Sequence, residues 1–223
     1  MRPHLLPDLR PTADSLSRRD VLLRLAAPTA LAGLTLVATP AARASTVLRA
    51  TPAQSEGPFY PVELPADTDF DLLRQGSTPY TRGQAVWLEG VVMDLRGQPV
   101  RGAVVEIWQC DVDGHYRHPL DGGRSDPAFQ SFGRVAVDAQ GRYRFRTIRP
   151  AAYRGRTPHI HVKVRLDRRE LLTTQLYVAG DPGNERDFLW RSLRDPQDRA
   201  ALTVAFSAGS DGLSARFPIV VAV

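Results

Sequence analysis

Three Asp-x-x-Gly tetrapeptides, at residues 94–97, 111–114 and 138–141, cut the middle of this chain into short apolar runs. That punctuation limits the fold more than any other feature. An Asp side chain can hydrogen-bond the backbone two residues on, and Gly tolerates the positive φ that closes a tight reversal. Between the turns, residues 86–93, 103–110, 134–137 and 142–148 alternate or run apolar as strands do, without helical period. Residues 159–166, 171–179, 202–206 and 217–223 extend the series. Many short strands at this spacing predict an all-β fold, an antiparallel β-sandwich or barrel with long loops. The one short helix expected covers residues 184–193, with Asn184 as its N-cap. Trp87 and Trp108 read as core aromatics.

The ends of the chain divide further. Residues 17–23 (Ser-Arg-Arg-Asp-Val-Leu-Leu) resemble a twin-arginine export signal. The apolar stretch that follows, residues 25–37, is broken by Pro28 and is shorter than the roughly 20 residues a bilayer span needs. Ala42-Arg43-Ala44 offers a small-x-small cleavage pattern. The expected organisation is a signal peptide at 1–44, an arm rich in Pro, Asp and Thr at 45–82, and a β-sandwich domain at 83–223. The destination is periplasmic or secreted, with no membrane attachment once the signal is removed.

Charge and cysteine exclude some classes. The formal charge is +5, but six arginines against three aspartates precede Ser45, and the remaining bases are scattered. No basic stripe tracks a phosphate backbone, so nucleic acid is not an expected partner. Cys110 is the only cysteine, so no intramolecular disulfide can form, and its strand-like setting suits a small buried apolar residue.

Chemistry concentrates around His159-Ile160-His161. Residues two apart on a strand face the same side, so both imidazoles can meet one metal ion. A cupin-type site wants a Glu shortly after the second His, where this chain has Arg165 and Leu166. A three-His zinc site would need His115 or His118, and a two-His-one-carboxylate site would need Asp167 or Glu170 near a turn. The tyrosines add more: Tyr153 precedes His159 by six positions, and Tyr116 follows the turn at 111–114. A phenol of ordinary pKa near 10 ligates at neutral pH only when a hard, highly charged cation offsets deprotonation. Ferric iron is the usual biological choice.

From about Ser55 to Asp181 the chain resembles the intradiol ring-cleavage dioxygenases, most of all their protocatechuate 3,4-dioxygenase branch. The matching segments are residues 55–60 (Ser-Glu-Gly-Pro-Phe-Tyr), 90–94 with Gly97, 105–109 (Val-Glu-Ile-Trp-Gln), and 114–119 (Gly-His-Tyr-Arg-His-Pro). Residues 145–148, Gly155 and Arg156 with 159–161, 174–177, and Gly180 with Asp181 continue the series in order. The resemblance implies Tyr116, Tyr153, His159 and His161 as ligands of Fe(3+). It implies Tyr153 also as a general base, and Arg156 and Gln175 as polar groups facing the substrate. A catechol and O2 become the implied small-molecule partners, a cis,cis-muconate the product, and self-association into a homo-oligomer is left open. Two departures bear on the substrate entrance: a shorter loop between Tyr153 and His159, and Ala151-Ala152 as its lead-in. Two other readings stand beside this one: an exported non-catalytic sandwich module, and a zinc-dependent hydrolase using the H-x-H pair.

Overall fold

The structure, a computed structural model, describes residues 47–223. The expected signal peptide at 1–44 lies outside the described residues. The strands are β1 (Arg74–Gln75), β2 (Thr78–Pro79), β3 (Ala85–Asp94), β4 (Ala103–Trp108), β5 (Phe132–Ala136), β6 (Arg142–Ile148), β7 (His159–Leu166) and β8 (Arg169–Val178). Two α-helices follow, α1 (Phe188–Ser192) and α2 (Pro196–Leu202), then β9 (Thr203–Val204), β10 (Phe206–Gly209), β11 (Gly212–Arg216) and β12 (Ile219–Val221).

The three Asp-x-x-Gly turns share one mechanism. Asp94 accepts from the amides of Arg96 and Gln98, Asp111 from those of Asp113 and His115, and Asp138 from those of Gln140 and Arg142. In each the glycine amide returns to the aspartate carbonyl, at 3.0, 3.1 and 2.9 Å. The glycines take φ of 77°, 81° and 75°, where a side chain would be strained. Each turn thus holds its own backbone polar groups, and the chain can reverse without help from the core.

Two five-stranded sheets result, and they form the sandwich expected from the sequence. One has β10-β11-β3-β12 with β6 also on β3, and the other runs β5-β4-β7-β8-β9. The pairings are mostly antiparallel, but β11 and β12 both run parallel to β3, and β9 runs parallel to β8. The helical segment differs from expectation. A 3-10 turn at Asn184–Arg186 comes first, and α1 starts only after Asp187, whose carboxylate accepts from the amides of Leu189 and Trp190. Asn184 is therefore not the helix cap. A second helix, α2, was not expected; it takes only Leu202 from the strand expected at 202–206, where residues 203–204 form β9 and Phe206 begins β10. Asp195 caps it and Pro196 fills its first position, a pairing that favours helix initiation. Leu202 is buried as its last residue.

β7 is central in its sheet and buried on both faces. Ile160, Val162 and Val164 enter the main core, with Leu88, Phe145, Leu176 and Phe217. The opposite face carries His159, His161 and Lys163, all buried. Beside it lies a second apolar cluster that includes Phe59, Trp108, Cys110, Tyr116 and Tyr153. Trp87 does not join either core. It sits on the outward-alternating side of β3, stacked on Phe70 with the Arg144 guanidinium 3.6 Å from its ring centre. The segment ahead of β1 is stitched along both sheets: Thr51 N donates to Val220 O at 2.9 Å and Gln54 N to Thr173 O at 2.9 Å. Among the described residues no helix is long and apolar enough to cross a membrane.

Ile160 sits between the two imidazoles in sequence but faces the main core, so the two sides of β7 can be separated experimentally. Ile160→Ala should lower unfolding free energy by about 2–5 kcal/mol, read by chemical denaturation. A loss under about 0.5 kcal/mol would mean that this face is not packed as described.

Candidate metal centre

Strand register assembles the site. His161 lies opposite Trp108 of β4 on one side and Gln175 of β8 on the other, while His159 lies opposite Tyr177. Trp108 stacks on the His161 ring at 4.8 Å and 9°. The arm also packs against that imidazole: a Cβ at Gly57 would stand 3.3 Å from His161 Cε1, and Gly57 has φ 72°. A glycine is needed there both for space and for backbone conformation.

The imidazoles are set up as neutral ligands. The His159 Nδ1–H donates to the Thr157 carbonyl at 2.6 Å, which leaves the Nε2 lone pair free. That Nε2 lies 3.2 Å from His161 Nε2. Burial, with Arg156 adding to it, lowers the His159 pKa to about 3. Burial, then His159 and Arg156, hold His161 well below its usual value. Neither ring is charged near neutral pH.

The two phenols arrive from separate loops. Asp111 anchors the first, binding the amides of Asp113, His115 and Asp126. Tyr116 at its end is buried and stacks on Phe59 at 4.5 Å and 13°. Tyr153 meets Tyr116 edge-on at 4.9 Å between ring centres and His159 at 5.3 Å, while Tyr116 lies 6.1 Å from His161. The structure thus gathers all four sequence-derived ligand candidates. Burial raises the Tyr116 pKa well above 10. It raises that of Tyr153 as well, against the opposing pull of Arg156.

Several buried groups here lack partners. The Tyr116 hydroxyl and His161 Nδ1 make no hydrogen bond, and each such group costs about 1–3 kcal/mol. Two imidazole Nε2 atoms 3.2 Å apart, beside an unpartnered phenol and a second phenol, fit a cation that all four can share. Among the described residues no group of three or more His, Cys, Asp or Glu side chains converges to hold a metal. His115 instead faces Asp121 at 3.3 Å, and His118 Nδ1 accepts from the Leu120 amide. A zinc site of the three-His type therefore lacks its third ligand, and the phenols are the available donors. Their oxygen chemistry suits a hard trivalent ion such as Fe(3+). Cys110, with its thiol pushed up to about 12 mainly by burial, remains an inert packing residue.

Arg156 and Gln175 are bonded to each other rather than free. Arg156 Nη2 donates to Gln175 Oε1 at 2.7 Å, and Gln175 Nε2 donates to the Ser55 carbonyl at 2.7 Å. Arg156 Nε donates to Asp187 Oδ2 at 2.6 Å. Asp187 escaped the sequence reading, although an Asp just before Phe188-Leu189-Trp190 is an N-cap signal. It accepts from Arg156, from the Thr157 amide at 3.0 Å and from two amides of α1. Burial alone would raise its pKa, but Arg156 and the Trp190 and Thr157 amides outweigh that and hold it below the usual carboxylate value. A cavity of about 380 Å³ opens beside these groups, lined in part by Tyr153, Arg156, Thr157 and Arg186.

Comparison with known proteins points to one family. A family model described as a dioxygenase matches residues 55–222. The chain is 35% identical over 153 residues to a catechol 1,2-dioxygenase of Acinetobacter baylyi, covering 60% of this chain and 48% of that protein. It is 38% identical over 136 residues to a protocatechuate 3,4-dioxygenase beta chain of Burkholderia cepacia, covering 56% and 58%. The chain thus spans about half the length of these curated relatives, and both branches match at similar identity. Among solved structures, the dioxygenase domain of a dioxygenase–carbohydrate-binding fusion from Streptomyces sp. SirexAA-E superposes with TM-score 0.61 at 34% identity. The match covers 78% of this chain and 99% of that one.

The lowered Asp187 pKa has a signed consequence. The stabilisation is present above the ordinary carboxylate pKa of about 4 and is lost as pH falls through the lower folded value. Asp187→Asn should cost on the order of 3–5 kcal/mol at pH 7 and flatten the acid limb of the stability–pH profile. An unchanged acid limb would remove Asp187 from the site's framework.

Proposed function

Given that the chain belongs to the intradiol ring-cleavage dioxygenase family, we propose that it is a non-haem Fe(III) enzyme that cleaves a catechol-type diol with O2 to a cis,cis-muconate-type product. The observation that carries this reading is the convergence of Tyr116 and Tyr153 on His159 and His161, whose Nε2 atoms stand 3.2 Å apart. Those four residues would hold the ion. When bound, ferric iron supplies the Lewis acidity and electron withdrawal that let a catecholate react with triplet oxygen. The ring bond between the two hydroxyl-bearing carbons breaks, both atoms of O2 enter the product, and each of those carbons becomes a carboxyl.

The chain's own residues do the rest. Tyr153 lines the 380 Å³ cavity, whereas Tyr116 is more deeply buried, so an incoming diol meets Tyr153 first. Once deprotonated, the Tyr153 oxygen is the base for one catechol hydroxyl proton. Arg156, always charged, is held by Asp187 and Gln175 with its positive field toward the site. There it stabilises negative charge developing on the ring, a contribution of about 3 kcal/mol for one preorganised donor. Gln175 fixes the guanidinium and ties it to the arm at Ser55. Phe59 and Trp108 cover the ligand rings and exclude water. The twin-arginine pattern at residues 17–23 supports export to the periplasm or beyond as part of the same proposal.

Purified protein should contain close to one iron per chain, absorb in the visible, and consume O2 with at least one member of a catechol panel. Tyr153→Phe should keep the fold and lower kcat by about 10²–10⁴-fold, the scale of a lost general base. A colourless, iron-free protein inert toward every diol would defeat the proposal.

A further inference from the structure

Tyr116 and Tyr153 belong to different loops, yet one buried carboxylate reaches both. Asp121 closes the 3-10 turn Pro119–Asp121 and is 3% exposed. Its Oδ2 accepts from the Tyr116 amide at 2.9 Å. Its Oδ1 accepts from Arg154 Nη2 at 2.8 Å, and Arg154 is the residue after Tyr153. Two further cationic or titratable groups face it, His115 Nδ1 at 3.3 Å from Oδ2 and Arg124 Nη2 at 3.4 Å from Oδ1. Arg154 also approaches the Leu120 carbonyl at 3.4 Å and lies 5.5 Å from the centre of Phe59, the ring stacked on Tyr116.

The backbone after Tyr153 is shaped to make this contact. Arg154 has φ 42° and Gly155 φ 78°, and Arg156 N returns to Tyr153 O at 2.7 Å. Positive φ at both central residues is the signature of a type I′ turn, an uncommon position for arginine. From this turn Arg154 grips Asp121 and Arg156 grips Asp187, so the Tyr153 loop is held by a buried carboxylate at each end. Only Asp121 also holds the loop that brings Tyr116.

We propose that Asp121 is a positioning residue that, through Arg154, fixes the separation of the two phenol oxygens so that both can meet one trivalent cation. This rests on the ferric reading above. A carboxylate with charge-assisted bonds to both loops makes the phenol pair a single unit. Cutting either bond frees one tyrosine while leaving β7 and its imidazoles in place.

The test compares the full chain with Asp121→Asn, Arg154→Asn and Arg154→Lys. Asn accepts the positive φ at position 154 while removing the charge, and Lys keeps the charge. For each, Fe(III) affinity is measured by competition with a chelator, the visible band is recorded, and folding is followed by circular dichroism. Asp121→Asn and Arg154→Asn should fold, bind iron about 10- to 100-fold more weakly and show a shifted band, with affinity partly restored in Arg154→Lys. Folded variants with wild-type affinity and an unshifted band, whatever their melting temperature, would overturn the role of Asp121 and leave the ferric site standing. A wild-type chain that binds no Fe(III) would instead overturn the ferric reading, and this proposal with it. Should Asp121→Asn fail to fold, Arg154→Asn alone decides between the same outcomes.

Discussion

Two imidazoles on a strand buried on both faces are the constraint from which the rest of the site follows. β7 has no solvent side: Ile160, Val162 and Val164 fill the main core, and His159 and His161 are covered by Trp108, the arm and the phenol loops. Protonating either ring there is opposed by burial and by Arg156. The rings therefore stay neutral, with their Nε2 atoms 3.2 Å apart and buried from water. Buried polar groups are costly while incompletely bonded. The unpartnered Tyr116 hydroxyl adds to the same cost. A shared cation relieves these costs together, and the phenols, whose protons burial holds in place, set how strongly charged that cation has to be.

Holding those donors together falls to carboxylates outside the ligand set. Asp111 shapes the Tyr116 loop, Asp121 joins it to the Tyr153 loop, and Asp187 locks Arg156 and Thr157 against α1. Each is almost fully buried and accepts hydrogen bonds from several donors. The arm contributes in the same way: Gly57 lies against His161, Phe59 stacks on Tyr116, and Ser55 accepts from Gln175. The segment preceding β1 is structurally part of the centre and not a tether to it.

Much of this could be read from the residues. Local rules found β7, whose H-x-H spacing is a statement about strand geometry, and the three Asp-x-x-Gly turns, whose bonds close within five residues. The two tyrosines drew attention as phenols that only a hard cation would deprotonate, but it is the family resemblance that implies them as ligands, since Tyr116 lies far from the histidines in sequence. What escaped was set by contacts distant in sequence. Asp121 shows its role only once Tyr116 and Arg154 are folded against it. Asp187 was passed over in favour of Asn184, three residues earlier, because the 3-10 turn at Asn184–Arg186 precedes the true helix start. The strand expected at 202–206 is present as β9 and the start of β10, and only Leu202 goes instead to α2, the helix that Asp195 and Pro196 begin. Trp87 was placed in the core on hydrophobicity alone, while its position on β3 turns it outward under Arg144.

Resonance Raman spectroscopy of the iron-loaded protein, excited within its visible band, tests the central claim most directly because it counts bound phenolates. Two iron-bound tyrosinates should contribute ring and C–O modes, with one set removed in Tyr116→Phe and the other in Tyr153→Phe. A spectrum without tyrosinate modes, or one that neither substitution alters, would contradict a centre built from these two phenols and the paired imidazoles.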